Sequence, residues 1–167
     1  MPRESRESLE KLYVEQLRDL YSAEEQITKA LPKMAQKAAH PELRRGFEEH
    51  LRQTEEHIQR LDRIFQHLGQ RGPGHKCKGM EGLLAEGEEV MTEFKDSDVL
   101  DAAMIAAAQR VEHYEIAGYG CARTYAQMLG LDEHAQLLDR TLQEEGETDH
   151  KLTDLAESVI NVDALKV

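Results

Sequence analysis

Apolar residues recur at three- and four-residue intervals through four long stretches of this chain, and that spacing constrains its fold more than any other feature. The first stretch, residues 8–39, carries Leu9, Leu12, Tyr13, Leu17, Leu20, Ile27 and Leu31 on one helical face. Pro32 falls inside it and is expected to kink or locally unwind the helix. His40-Pro41 ends it, because a residue before proline avoids helical geometry while proline suits a first helical turn. The second stretch, 41–68, has the stripe Leu43, Phe47, Leu51, Ile58, Leu61, Ile64, Phe65 and Leu68, with Gly69 as its stop. The third, 99–129, is rich in small residues and closes at Gly130; Asp96, Ser97 and Asp98 are offered as its N-caps. The fourth, 132–159, is expected to be capped by Asp132 and carries Leu137, Leu138, Leu142, Leu152, Leu155 and Val159; Asn161 to Val167 read as a tail.

Connection lengths decide how these helices are arranged. The first pair and the second pair are each joined by almost nothing, so each is an antiparallel hairpin. Between the pairs lies the crossover 69–97, with a Gly/Pro-rich loop and a short amphipathic helix whose apolar set is Met80, Leu83, Leu84, Val90 and Met91. A helix of 28 residues is roughly 42 Å long at about 1.5 Å per residue, and the crossover is long enough to travel that distance. Two hairpins joined by one long crossover is the ferritin-like form of an all-α four-helix bundle.

The 167 residues fit one domain, 1–167. Acids outnumber bases 33 to 21, giving a formal charge of −12. That surface repels phosphate backbones and anionic lipid, which disfavours nucleic-acid and membrane partners. No apolar run approaches a bilayer span, and the charged N-terminus lacks the apolar stretch of a secretory signal. With only Cys77 and Cys121, no disulfide scaffold is expected and a reducing cytoplasm is the simplest compartment.

Polar residues on the apolar stripes point to chemistry. At about 100° per residue, Glu24 falls on the core face of the first helix. His50 and Thr54 lie at the centre of the second stripe, with His57 at its edge. Glu115 shares a face with Val111, Gly118 and Ala122, and Glu112 lies one turn earlier. Glu145 is central on the fourth helix, and Asp149 lies one turn on. Buried carboxylates repel one another and are costly to desolvate, so something must neutralise them. Iron or manganese suits a carboxylate and imidazole donor set. For any one of these residues a solvated edge position or a packing role is the better explanation; their coincidence on four helices is what favours metal. Glu147-Thr-Asp-His150 has metal-site spacing, but both residues face away from the Leu142–Glu145–Leu152 stripe and are assigned to the solvated face. The tyrosines and Cys121 are expected to fill the core. Cys77 is either a redox thiol made acidic by Lys76 and Lys78 or a small residue buried under the crossover, the second being favoured.

Five segments also resemble a known family: LYSAEEQITKALPKM from Leu20, HLRQTEEHIQRL from His50, KCKGMEGLLAEG from Lys76, AAQRVEHYEIAGYG from Ala107 and LQEEGETDHKLTDLAE from Leu142. Their order and spacing are similar to the YciE/YciF-type ferritin-like proteins of bacteria. The resemblance implies a ferritin-like bundle, often a homodimer, with a di-metal centre and a link to stress responses. By motif its metal positions map onto Glu24, His50, Glu112, Glu115, Glu145 and Asp149; many relatives carry an acid where this chain has Gln53.

The function expected is that of a metal-binding stress protein with two iron or manganese ions, acting as an oxidoreductase toward dioxygen or peroxide or handling the metal itself. A manganese-catalase-like activity is a weaker variant, and storage in a large cage is disfavoured because no cage-forming extension follows the last helix. The competing expectation is a non-catalytic helical scaffold or interaction protein of the stress response.

Overall fold

A computed structural model describes residues 3–95 and 97–166. Among them the chain is helical and without strands: α1 Arg3–Lys37, α2 Pro41–Leu68, α3 Lys78–Glu93, α4 Leu100–Leu129 and α5 Asp132–Leu155. A π-helical segment, Ala156–Ile160, and a last turn, α6 Asn161–Ala164, prolong α5, so the expected tail is in part a continuation of the helix. The helices α1 and α2 form one hairpin, α4 and α5 the other, and α3 in the crossover packs on α1 and α4. This is the ferritin-like four-helix arrangement.

Local chemistry explains most boundaries. Gly69 and Gly130 close α2 and α4 with φ of 62° and 75°, a left-handed conformation that glycine adopts without steric cost. Pro41 opens α2, where its missing N–H removes nothing. Four boundary expectations need correction. α1 begins at Arg3 rather than near residue 8, because its exposed first turns need no apolar stripe to be helical. The helix also runs through Pro32 without unwinding; the proline is exposed, so the chain bears it on the solvent side. Val99 occupies the N-cap of α4 with no side-chain bond, while Ser97 Oγ accepts from Val99 N at 3.3 Å; Asp96 lies outside the described residues. Leu131 is the N-cap of α5, which puts Asp132 inside the first turn, where its charge complements the helix dipole.

A tie between the hairpins sits at one end. Asp101, in the first turn of α4, is buried and accepts from Ala39 N (2.9 Å) and His40 N (2.7 Å) in the α1–α2 joint. At the crossover, Cys77 caps α3 by accepting from Met80 N and lies 3.0 Å from Tyr114 Oη, which donates to Asp19. The thiol is buried, and burial pushes its pKa up, so the packing role fits it and the acidic redox thiol does not. Cys121, expected to pack, is exposed on α4.

The apolar core is split in two. One cluster joins Ile27, Leu31, Phe47, Met104 and Leu152 towards the α1–α2 joint. The other joins Tyr13, Leu17, Leu61, Ile64 and Leu138 towards the far end. Between them lies a buried polar layer.

Candidate metal centre

Each long helix contributes to that layer from its middle. Glu24 comes from α1, His50, Thr54 and His57 from α2, Glu112 and Glu115 from α4, and Thr141 and Glu145 from α5; all are buried, with Glu24, His57, Glu115 and Glu145 wholly inaccessible. Their spacing follows from helical geometry: residues 50, 54 and 57 on α2, and 112 and 115 on α4, recur on one face.

The donors form two overlapping groups. His50, Glu112, Glu115 and Glu145 each offer an atom within 4.8 Å of the others, and Glu24, His57 and Glu145 do the same. Glu145 belongs to both. His50 Nε2 lies 3.1 Å from Glu112 Oε1 and 3.9 Å from Glu145 Oε2. His57 Nδ1 lies 3.2 Å from Glu24 Oε1 and 3.0 Å from Glu145 Oε1.

None of these close approaches has the geometry of a hydrogen bond. Among the described residues, the buried side-chain nitrogens and oxygens without a partner are Nε of Arg18 and Arg123 and otherwise all belong to this layer. They comprise both nitrogens of His50, Nδ1 of His57, Oε2 of Glu24 and Glu112, and both oxygens of Glu115 and Glu145. Buried polar atoms are almost always partnered, because each orphan costs about 1–3 kcal/mol. A cluster of orphaned acceptors fits a bound cation: the donor set has the oxygen and imidazole character of an iron or manganese site, and the atoms converge.

Electrostatics agree with that geometry. Burial, with the nearby Glu24 charge, raises the Glu112 carboxyl to about 8. Burial and Glu112 raise Glu145 to about 8, and burial with the charges of Glu145, Glu24 and Glu112 pushes Glu115 well above the usual range. Desolvation pulls His57 down, but Glu24 and Glu145 together outweigh it and hold the imidazole up to about 10.

The surroundings of the two groups differ. His57 Nε2 lies 3.0 Å from Glu144 Oε2, which is gripped by the Arg60 guanidinium; Arg60 also donates to Thr141 at 3.0 Å. Burial would raise the Glu144 carboxyl, yet Arg60 holds it below its ordinary value, so it stays an acceptor for His57 N–H. Tyr119, buried beside it, donates its hydroxyl to Glu24 Oε1.

Two residues singled out in the sequence stand apart. Asp149 accepts from Gln109 Nε2 and His113 Nε2, both at 3.1 Å, and joins neither donor group. Gln53 is only part-buried and lines a cavity beside His50. Glu147 and His150 are exposed, as their position on the helix wheel required. Of the supporting partners, Tyr119 was expected only to fill the core, and Glu144 and Arg60 were given no role in the site. A carboxylate next to Glu145 on the edge of the stripe was the available signal for Glu144; nothing local marked Arg60.

Comparisons with known proteins give the chain its relatives. It is 44% identical over 155 residues, 92% of its length and 93% of the relative's, to the protein YciF of Escherichia coli K12. The crystal structure of that stress protein superposes with a TM-score of 0.87, covering 92% of this chain and 97% of that one. YcfI of Rhodopseudomonas palustris matches at 46% identity and a TM-score of 0.84, over 87% and 92% of the two chains. A protein of Xanthomonas campestris pv. campestris matches at 25% identity and 0.74, over 98% and 97%. The model of the family described as a domain of unknown function, DUF892, matches residues 8–165, and with YciF aligned over nearly its whole length the chain belongs to that family.

Proposed function

We propose that this chain is a YciF-like stress protein that holds two iron or manganese ions in its polar layer. His50, Glu112 and Glu115 would serve one ion, Glu24 and His57 the other, and Glu145 both. The observation that carries this reading is the concentration of unpartnered buried nitrogens and oxygens at one point between two apolar cores. Bound as a reduced pair, such ions supply electrons to dioxygen or peroxide, which makes the protein an oxidoreductase or a metal handler.

The chain's own residues have separate tasks in this reading. Glu144 accepts from His57 Nε2–H, so the proton given up when metal is bound would be the one on Nδ1, the nitrogen facing Glu24 and Glu145. Arg60 keeps Glu144 ionised for that task. Tyr119 orients Glu24 and holds a proton beside the centre. The flanking apolar clusters exclude water, so each charge acts in a low-dielectric site. A homodimer in the cytoplasm belongs to the same reading; among the described residues no helix is long and apolar enough to cross a membrane.

Metal analysis and ferrous oxidation test it together. Protein purified without chelator is expected to hold about two iron or manganese ions per chain. Anaerobic loading with ferrous iron followed by air is expected to give a ferric absorption band. A protein that takes up neither metal, and whose melting temperature neither metal moves, overturns the reading and leaves a scaffold whose acids are neutralised by protons alone.

A further inference from the structure

The His50 side of the polar layer opens onto a cavity of about 340 Å³ between α1, α2, α4 and α5. Its walls include Ile27, Leu31, Phe47 and Leu152, while buried His50 and Glu112 line its inner part. We propose that this cavity binds an amphipathic monoanion, an alkyl chain of medium length with a carboxylate head, the chain inside and the head at the mouth. This deepens the metal-centre reading by naming the class of molecule brought beside the ions, and rests on that reading in this respect alone.

Three observations carry it. The volume lies in the range of small-molecule sites, and walls of this kind offer water few partners. The rim supplies the head's counter-charges: Arg45 and Lys151 are exposed there, and neither has a carboxylate partner among the described residues. Arg45 Nε makes only a long bond, 3.4 Å, to Pro41 O. Of the two acids on the same rim, Glu49 has a cation from outside it, Arg52 at 3.7 Å, whereas the two rim cations have no carboxylate partner of their own among the described residues. At the inner end the nitrogens of His50 and Oε2 of Glu112 have no hydrogen-bond partner, so the void reaches side chains left open on that side. The opposite histidine, His57, has its outer nitrogen taken by Glu144 and does not line the cavity.

Calorimetric titration of the full chain, once as purified and once after chelator treatment, tests the proposal. Sodium decanoate is expected to bind in both states, with the negative heat-capacity change of apolar burial. Acetate, the same head without the chain, is expected not to bind, and decyltrimethylammonium, the same chain with the opposite head, to bind about tenfold more weakly. The double variant Arg45→Glu/Lys151→Glu changes exposed residues only and is expected to weaken decanoate by about the same factor. Filling the void with Ala108→Leu is expected to remove binding of both long-chain probes. Decanoate that fails to bind, or that binds the Arg45→Glu/Lys151→Glu protein as well as the parent, overturns the proposal. Decanoate binding to a protein that takes up no iron or manganese keeps the cavity site and discards only the ions beside it.

Discussion

The two halves of the polar layer share Glu145 and little else. The His57 half is enclosed: Glu144 and Arg60 hold the outer nitrogen of His57, Tyr119 holds Glu24, and protein surrounds it. In the His50 half neither nitrogen of His50 and neither oxygen of Glu115 has a partner, and an apolar cavity comes up to its edge. In one half the protein has fixed His57 and Glu24 each through a second residue. In the other it has left donors free and space beside them. That contrast teaches where orientation is fixed in advance and where an incoming molecule has room.

The largest effect expected from breaking this arrangement is at the residue common to both halves. Glu145→Ala should abolish binding of both ions, read as metal per chain, while Glu147→Ala on the exposed face leaves the content unchanged. In the parent, saturating manganese at about a hundred times Kd should add about 2.7 kcal/mol of stability per ion, and in Glu145→Ala almost none. Next come the histidines singly. His57→Ala should lower the content from about two ions to about one, and His50→Ala should do the same from the other side. Loss of both ions from either variant would mean that the halves are one indivisible site.

The pH dependence of the metal-free protein is a smaller effect with a definite sign. Burial lifts Glu112 and Glu145 from 4.5 to about 8 in the folded chain, so between those values the folded state binds more protons than the unfolded one. Their contribution to stability is therefore fully present below about pH 4.5 and is lost as pH rises towards 8. His57, raised from 6.5 to about 10, acts in the same direction at higher pH. Chelator-treated protein should thus show a falling denaturation midpoint from pH 5 to pH 8. Metal affinity should rise over the same range, because binding displaces those protons. The smallest effect sharpens the contrast: Glu144→Ala should weaken the His57 ion by about 10- to 100-fold and leave the His50 ion unmoved, in a competitive titration of metal against chelator.

Much of this was legible in the chain because helix periodicity projects onto a wheel without any tertiary knowledge. Leu43, Phe47, Leu61 and Ile64 mark the buried face of α2, and His50 falls on it. Glu24, Glu115 and Glu145 were marked in the same way on the other helices. The wheel fails where two residues lie one turn apart near the edge of a stripe, since small rotations of a helix decide which of them points inward. Asp149 and His57 are the instances: His57 is wholly buried in the layer, while Asp149 turns to Gln109 and His113. Cys121 was misplaced for the same reason, on a helix so rich in alanine and glycine that its apolar face is poorly marked. The pairing of Arg60 with Glu144 arises from α2 meeting α5, and the cavity beside His50 from four helices meeting, so neither has a signature within one segment. Capping failed as a guide at Asp132 because a leucine took the position before it.

Asp101 has a consequence beyond its two hydrogen bonds. By bonding the amides of Ala39 and His40 in the α1–α2 joint it pins one hairpin to the first turn of the other, and so sets how far each can slide past its neighbour along the bundle. A slip of a single residue displaces a helix by about 1.5 Å, whereas a coordination sphere tolerates about 0.2 Å. The axial register of Glu112 and Glu115 against Glu24 and His50 is thereby fixed from a point about 16 to 21 Å away along α4, by a carboxylate that touches none of them.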